Sequence, residues 1–229
     1  MPTRDLDIDA EAKAAELESQ SAQEILEWAL GTFHPRMYFA CSFQKTSSVI
    51  AHMASQIQPD ARFFYLDTDV LFDETYETSD RLADFLGIHF DRYSNLTIPE
   101  QARLYGDELW NRDPDACCGI LKVEPMRRAL SEVDCWAAGV RREDSASRAK
   151  SPKFGWDKRF GIWKINPLAD WSESDVWNYI HEHHLPYNPL HDQGYPSIGC
   201  THCTKPVGPG EDPRAGRWAG ASKTECGIN

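Results

Sequence analysis

Two pairs of cysteines, far apart in the chain, constrain its fold more than any other feature of the sequence. Cys200 and Cys203 form a Cys-x-x-Cys turn within the stretch 194–204, and the adjacent residues Cys117 and Cys118 lie much earlier. A Cys-x-x-Cys turn lets two thiolates converge on one centre, and a second pair completes the four ligands that zinc or an iron–sulfur cluster takes. A fold that uses all four must bring the two segments together.

The spacing favours a [4Fe-4S] cluster but leaves other interpretations open. Structural zinc sites usually contain two Cys-x-x-Cys knuckles, which place four sulfurs in a tight tetrahedron. Adjacent cysteines point apart and more readily reach two corners of a larger cluster. A zinc ion, a redox dithiol and inert thiols remain the alternatives.

Length and charge exclude several classes of protein. A chain of 229 residues fits one globular domain with an appended tail. Its apolar runs fall far short of the roughly 20 residues of a membrane span, and its acidic start lacks the features of a signal peptide. We therefore expect a cytoplasmic, reducing location, where cysteines are ligands or reactive thiols and not disulfides. The net charge of −12 argues against nucleic-acid or membrane-surface partners.

The composition predicts three parts. Residues 1–20 carry six acids and two bases with few large apolar groups, so we expect a disordered acidic lead-in. Residues 21–206 contain the cysteine pairs and the regular patterns of a nucleotide-binding domain. Residues 207–229 are rich in glycine and proline, which predicts a mobile tail with few buried contacts.

Strand and helix patterns alternate along the central part. Apolar runs predict strands at 36–41, 62–66, 88–93, 133–140 and 161–165. Helical spacing and capping signals predict the intervening helices. The first begins at Ser21 and ends before Gly31, and the next follows the loop 42–48 and ends near 57. Further helices cover 73–86, 98–105 and 172–184, and one more ends near 130. This alternation predicts an α/β fold with a doubly wound, mainly parallel sheet.

The first predicted strand leads directly into a hydroxyl-rich loop and a helix. Backbone N–H groups at a helix N-terminus, together with hydroxyls and a lysine, can coordinate a phosphate or sulfate. An ordinary serine-rich turn is the alternative, because the glycines of a Walker A loop are missing. The candidate substrate-binding residues here are Ser42, Phe43, Gln44, Lys45, Thr46, Ser47 and Ser48.

Asp67 follows the second predicted strand. At the carboxyl end of a parallel strand it lies where open α/β sheets bind ligands, although it is equally placed to cap the next helix. The segment 141–159 is basic in an otherwise acidic chain, with seven basic and three acidic residues. It is either a solvated surface loop or the lid of an anion site.

Cys226 lies in the glycine-rich tail with Arg214, Arg217 and Lys223. Nearby positive charge stabilises a thiolate and exposure permits attack, so Cys226 is a candidate nucleophile; an accidental exposed thiol is the alternative. Cys135, with small apolar neighbours, is interpreted as a buried core thiol, and so is Cys41.

Together these segments resemble the assimilatory adenylyl-sulfate (APS) reductases, the iron–sulfur branch of the phosphoadenylyl-sulfate (PAPS) reductase family. The split cysteine pattern combined with a final Glu-Cys-Gly is highly specific. The resemblance extends from Tyr38 to Gly227 and rests on residues 42–48, 66–68, 117–119, 122–125, 139–142, 186–190, 199–204, 214–218 and 225–227.

The resemblance implies an adenine-nucleotide α-hydrolase-like (PP-loop) fold and a homo-oligomer. It implies that Cys117, Cys118, Cys200 and Cys203 ligate a [4Fe-4S] cluster and that Lys122 lies between cluster and substrate. The loop 42–48 with Leu66 and Asp67 would bind the nucleotide. The phosphate and sulfate oxygens would be held by Arg141, Arg142, Arg214 and Arg217.

The implied reaction is reduction of APS to sulfite and AMP. The Cys226 thiolate would attack the sulfur of APS and form an S-sulfocysteine, from which thioredoxin or glutaredoxin would release sulfite. PAPS is an alternative substrate, and a nucleotide-binding module without redox catalysis is a more distant alternative. Family members commonly continue Glu-Cys-Gly-Leu-His, whereas this chain ends with Ile228 and Asn229. Asn229 cannot carry a proton or a positive charge as that histidine can.

Overall fold

A six-stranded sheet forms the centre of the chain in the computed structural model, which describes residues 8–219 and 223–228. The strands lie in the order β3-β2-β1-β4-β6-β5, and every neighbouring pair is parallel except β5 with β6. Their bounds are β1 (Met37–Ala40), β2 (Arg62–Leu66), β3 (Phe90–Tyr93), β4 (Cys135–Ala137), β5 (Phe154–Asp157) and β6 (Ile162–Ile165).

The helices connect these strands and cover both faces of the sheet. None of the helices in the described ranges is both long and apolar enough to span a bilayer. A π-helical turn at Gly119–Val123 joins two of them. The α-helices are α1 (Ala10–Glu18), α2 (Ala22–Phe33), α3 (Lys45–Ile57), α4 (Asp73–Leu86), α5 (Ile98–Tyr105), α6 (Leu109–Arg112), α7 (Pro114–Cys118), α8 (Glu124–Leu130) and α9 (Glu173–Glu182).

Alternating side chains on the central strands build a core on each face. Phe39 and Phe63 point to the face that packs against α2, α3 and α9, where they are fully buried. Tyr38 and Phe64 point to the opposite face, where Met126 of α8 covers them. Because successive residues of a strand face opposite sides, two apolar runs supply both cores of a three-layer structure.

Capping signals in the sequence mark several helix ends correctly. Ser21 caps α2 in a reciprocal capping box with Glu24, and Ser172 does the same for α9 with Asp175. Gly87 ends α4 with φ at 66°, a left-handed conformation that glycine adopts without steric cost.

The predicted α/β fold with a doubly wound, mainly parallel sheet is confirmed. The bounds of β2, α4 and α5 agree with the sequence prediction. The strand predicted at 133–140 is shorter, and α2 continues through Gly31. Strand β5 lies inside the basic segment that was interpreted as a loop or lid. The sequence did not predict this strand, because its own residues give no strand signal and its hydrogen bonds come from pairing with β6.

Parts of the two terminal segments contain helical or buried residues. Helix α1 occupies part of the predicted disordered lead-in, anchored by the fully buried Leu17, while residues 1–7 lie outside the described residues. In the predicted mobile tail, Arg217 and Trp218 are buried. Residues 220–222 and Asn229 also lie outside the described residues.

The buried aromatic residue on β1 provides a test of the core. Replacing Phe39 by Ala should lower the free energy of unfolding by about 3–5 kcal/mol, because a fully buried phenyl ring leaves a cavity in the most central strand. Denaturant unfolding measures this change. The control Phe85→Ala removes a half-exposed ring from α4 and should cost less than about 1 kcal/mol. Equal effects of the two substitutions would contradict the described core.

Candidate active site

A cleft of about 430 Å³ lies at the carboxyl ends of β1, β2 and β4. Strands β1 and β4 are neighbours, and the chain connections leave them in opposite directions along the sheet. Open α/β sheets bind their ligands at this switch point. Among the predicted site residues, those that line the cleft are Ser42, Phe43, Gln44, Lys45, Thr46, Ser47, Leu66, Lys122, Arg141, Arg214, Arg217 and Cys226.

The hydroxyl-rich loop enters α3 at one end of the cleft. The backbone N–H of Ser42 donates to Ser47 Oγ at 2.9 Å, so the loop folds back over the first turn of the helix. The backbone N–H of Lys45 donates to His191 Nε2 at 3.2 Å. Burial and the adjacent Lys45 lower the pKa of His191 to about 4, so the ring is neutral and able to accept this bond. The loop is therefore fixed by hydrogen bonds to α3 and to His191.

The end of β4 approaches this loop very closely. A Cβ atom on Gly139 would lie 2.6 Å from Thr46 Oγ1, which is too close for any side chain. Glycine at this position therefore lets the end of β4 and the first turn of α3 form one continuous wall of the cleft.

Glu173 joins two predicted binding residues. Its carboxylate accepts a hydrogen bond from Lys45 Nζ at 2.6 Å and another from Arg141 Nη2 at 2.7 Å. Burial favours a raised pKa for Glu173, but the contact with Lys45 outweighs it and lowers the pKa overall. Glu173 thus balances the two cations at the loop end of the cleft.

Four cations line the other end of the cleft, drawn from three separate segments: Lys122, Arg148, Arg214 and Arg217. Ser197 Oγ accepts from Arg217 Nη1 at 3.2 Å and from Arg214 Nη1 at 3.3 Å. Arg217 Nε is buried and has no hydrogen-bond partner among the described residues. This end of the cleft is suited to a group with several anionic oxygens.

Cys226 lies half-buried in the cleft beside these cations. Burial favours a raised pKa for its thiol, but Lys122, Arg217 and the backbone N–H of Ile228 outweigh burial and lower the pKa below the usual value. The arrangement therefore favours the nucleophilic thiolate.

The four cysteines of the split pattern line a second, small cavity, so the fold brings the two distant segments together. Burial raises the pKa of Cys117, Cys118 and Cys203 to about 11 each. Lys122 belongs to the π-helical turn after Cys118 and lines both cavities. Over residues 8–219 and 223–228, no three His, Cys, Asp or Glu side chains are arranged to hold a single metal ion.

Three predicted substrate-binding residues do not line the cleft. Ser48 is fully buried in α3. Arg142 Nη2 donates to Glu18 at 2.9 Å, and its Nε donates to a backbone carbonyl, so its guanidinium is bound elsewhere. Asp67 is buried beside the strand end and accepts hydrogen bonds from Tyr76 and Arg92, each at 2.7 Å. Its position holds α4 and β3 together instead of facing the cleft.

Several residues that line the cleft were not predicted as site residues, and four of them are Arg148, Glu173, Ser197 and Ile228. Arg148 belongs to the basic segment, so its charge was a signal, but no motif of the sequence includes it. Ser197 lies within the stretch 194–204, which was selected only for its cysteines. Glu173 looked like a helix-start residue, which it also is.

A mainly parallel sheet with a cleft at its switch point, and with a hydroxyl-rich loop that leads into α3 beside that cleft, is typical of the adenine-nucleotide α-hydrolase-like class of α/β proteins. Comparisons with known proteins identify the family within it. The sequence model of the phosphoadenosine phosphosulfate reductase domain matches residues 36–206, and the chain belongs to this family.

Relatives match over most of their length. The chain is 45% identical to the adenosine 5'-phosphosulfate reductase of Salinibacter ruber over 94% of this chain and 86% of that protein. It is also 45% identical to the protein of the same name from Shouchella clausii, over 96% of this chain and 92% of that protein. A crystal structure of PAPS reductase from Candida auris, in complex with phosphate, has 34% identity and a TM-score of 0.76, covering 85% of this chain and 95% of that one.

The structural position of Asp67 gives a test that separates folding from binding. Replacing Asp67 by Asn should lower the free energy of unfolding by about 2 kcal/mol, because the charged acceptor for Tyr76 and Arg92 is lost. The affinity for AMP, measured calorimetrically, should change by less than about threefold. The control Asp73→Asn changes an exposed carboxylate in the first turn of α4 and should cost at most about 1 kcal/mol. A large loss of AMP affinity with unchanged stability would instead place Asp67 in substrate binding.

Proposed function

We propose that this chain reduces adenylyl sulfate (APS) to sulfite and AMP in sulfate assimilation, with Cys226 as the nucleophile and thioredoxin or glutaredoxin as the reductant. The observation that carries the proposal is the position of Cys226, which lies in the nucleotide-sized cleft beside Lys122 and Arg217 with a lowered pKa. The names of the relatives, which match nearly the whole chain, support the choice of substrate.

The two ends of the cleft suit the two parts of APS. The loop end, where Glu173 pairs with Lys45 and Arg141, would accommodate the nucleoside and its phosphate. The cationic end, with Lys122, Arg214 and Arg217, would hold the sulfate. There the fixed cations offset the repulsion between a thiolate and an anionic sulfate, and they stabilise the charge that develops on the departing phosphate oxygen.

The reaction proceeds in three steps, each an attack of a thiolate on a sulfur atom. In the first, the Cys226 thiolate forms a bond to the sulfur of APS. The bond from that sulfur to the bridging oxygen breaks, and AMP leaves with its electron pair. The product is a Cys226 S-sulfocysteine. In the second step a thioredoxin thiolate attacks the Cys226 sulfur, and sulfite leaves with the electron pair of the sulfur–sulfur bond. The second thioredoxin thiolate then resolves the mixed disulfide and restores Cys226.

The four cysteines that line the second cavity fit a [4Fe-4S] cluster by their chemistry. Four thiol sulfurs are the donor set that this cluster takes, and they come from two distant segments. When bound, the cluster would supply iron–thiolate bonds that tie α7 to the Cys200–Cys203 turn. Lys122 borders this cavity and the cleft, and its ammonium group would contribute positive charge on the side of the substrate.

A covalent intermediate on Cys226 can be detected directly. When the protein is incubated with APS and no reductant, intact mass should increase by one SO3 group, which peptide mapping should locate on Cys226. The Cys226→Ser variant should gain no mass and produce no sulfite, yet bind AMP normally. Parallel incubation with PAPS tests the alternative substrate. Sulfite production by Cys226→Ser would refute the assignment of the nucleophile.

The cluster proposal predicts a loss of iron from a ligand variant. Anaerobically purified protein should contain about four iron atoms and about four sulfides per chain, with the visible absorption of the cluster. Cys200→Ser should lose most of both. The matched control Cys135→Ala removes a thiol that is fully buried in β4, away from the cavity, and should keep the iron. Iron loss from Cys135→Ala alone, or a full complement in Cys200→Ser, would contradict the ligand set.

A further inference from the structure

The residue before Cys226 places a carboxylate in the cationic end of the cleft. Glu225 accepts two hydrogen bonds from Arg148, from Nε and Nη2, each at 2.8 Å. Arg214 Nη2 approaches the same carboxylate at 3.2 Å, and Ser147 Oγ lies at 3.3 Å. Only 18% of the Glu225 side chain is exposed. A negative charge here works against catalysis, because it repels both the thiolate and an anionic substrate, and therefore requires an explanation.

We propose that Glu225 is a positioning residue whose carboxylate, gripped by Arg148, holds Cys226 in the cleft for attack on the substrate. The inference rests on the proposed function, since holding the thiol matters only if the thiol reacts. A planar guanidinium that donates two parallel bonds fixes the direction of a carboxylate as well as its distance. The adjacent residue in the chain is thereby fixed as well.

The segment around Cys226 needs such a contact because it has no regular structure of its own. Residues 223–228 contain no helix or strand. Their position therefore depends on contacts to the rest of the protein, and a short segment without secondary structure opens readily when such contacts are lost.

The other polar contacts of residues 223–228 in the structure are weaker candidates for this role. Lys223 pairs with Asp115; the Lys223 side chain is only 9% exposed, but that of Asp115 is 85% exposed, so water screens the pair. Arg214 Nη2 donates to the carbonyl of Thr224 at 2.7 Å, and Arg159 donates to the carbonyl of Gly227. Neither of these two contacts uses a side chain of the segment.

Arg148 is itself held in place, so its contact with Glu225 is rigid. Its Nη1 donates to Asp144 at 3.2 Å, and Asp144 also accepts a hydrogen bond from Arg141 Nε at 3.2 Å. Only 14% of the Arg148 side chain is exposed. Glu225 is thus connected through Arg148 and Asp144 to an arginine in the wall of the cleft, which fixes Cys226 relative to the substrate site.

The first test is single-turnover formation of the S-sulfocysteine. Glu225→Gln should slow the gain of one SO3, at saturating APS without reductant, by about 10- to 100-fold, because the thiol is no longer held in place. Binding of APS, measured by calorimetry in the Cys226→Ser background, should change by less than about threefold when Glu225→Gln is added. Glu225→Asp, which keeps the charge, should recover part of the rate.

Hydrogen exchange provides a readout that the chemistry does not influence. Amides of residues 223–228 should exchange faster in Glu225→Gln than in the wild type, while exchange in β1 and α3 stays unchanged. Two controls accompany the variant. Glu77→Gln removes an exposed carboxylate on α4 and should leave both measurements unchanged. Lys223→Met removes the ion pair with Asp115, which lacks the two-bond geometry of Glu225 with Arg148, and should slow sulfonation less than Glu225→Gln does.

The outcomes separate the inference from the function on which it rests. If the wild type gains SO3 and Glu225→Gln gains it equally fast, the inference is wrong although the proposed function stands. The inference is also overturned if the loss lies entirely in APS binding, or if exchange of residues 223–228 is unchanged. If the wild type gains no SO3, the proposed function fails and the inference fails with it.

Discussion

A thiolate and a sulfate group repel each other, and the structure of the cleft follows from the need to offset this repulsion. The chain carries a net charge of −12, yet Lys122, Arg148, Arg214 and Arg217 converge at one end of the cleft. Fixed cations in a partly dry site act more strongly than the same charges in water. An acidic protein can therefore present a strongly cationic surface where an anionic substrate needs it, while the rest of the surface stays acidic.

Cations that are removed from water need partners, and this requirement explains the acids that line the cleft and the position of Ser197. Arg141 is almost completely buried and pairs with Glu173 and Asp144. An unpaired buried charge is costly, whereas a paired one with satisfied hydrogen bonds holds its geometry. The partners also reduce the positive charge at the loop end and leave a larger share of it at the other end. The network thus gives the cleft a direction.

The sequence predicted most of the strands and helices and part of the cleft, because both depend on local patterns. Apolar runs, capping boxes and the loop 42–48 carry their structure in a few adjacent residues. The sequence was less informative where the direction of a side chain depends on the fold. Arg141 and Arg142 are neighbours, but only the first lines the cleft, whereas Arg148 reaches it from the basic segment. Asp67 follows a strand as binding residues do, yet its carboxylate turns towards Tyr76 and Arg92.

The tail consists of two parts that are held in different ways. Residues up to Trp218 pack against the cysteine segment. Arg217 forms an isolated β-bridge with Thr204, and the backbone N–H of Trp218 donates to the carbonyl oxygen of Cys203 at 3.0 Å. Residues 223–228 are held by side-chain and carbonyl contacts with cations and by packing of the partly buried Ile228 against the core that contains Tyr38 and Phe64. Exposing the buried Trp218 side chain costs much more free energy than replacing ion pairs by contacts with water. In the reaction proposed above, carrying Cys226 from the cleft to a reductant would need to release only the second part, while Arg214 and Arg217 would keep their contacts with Ser197.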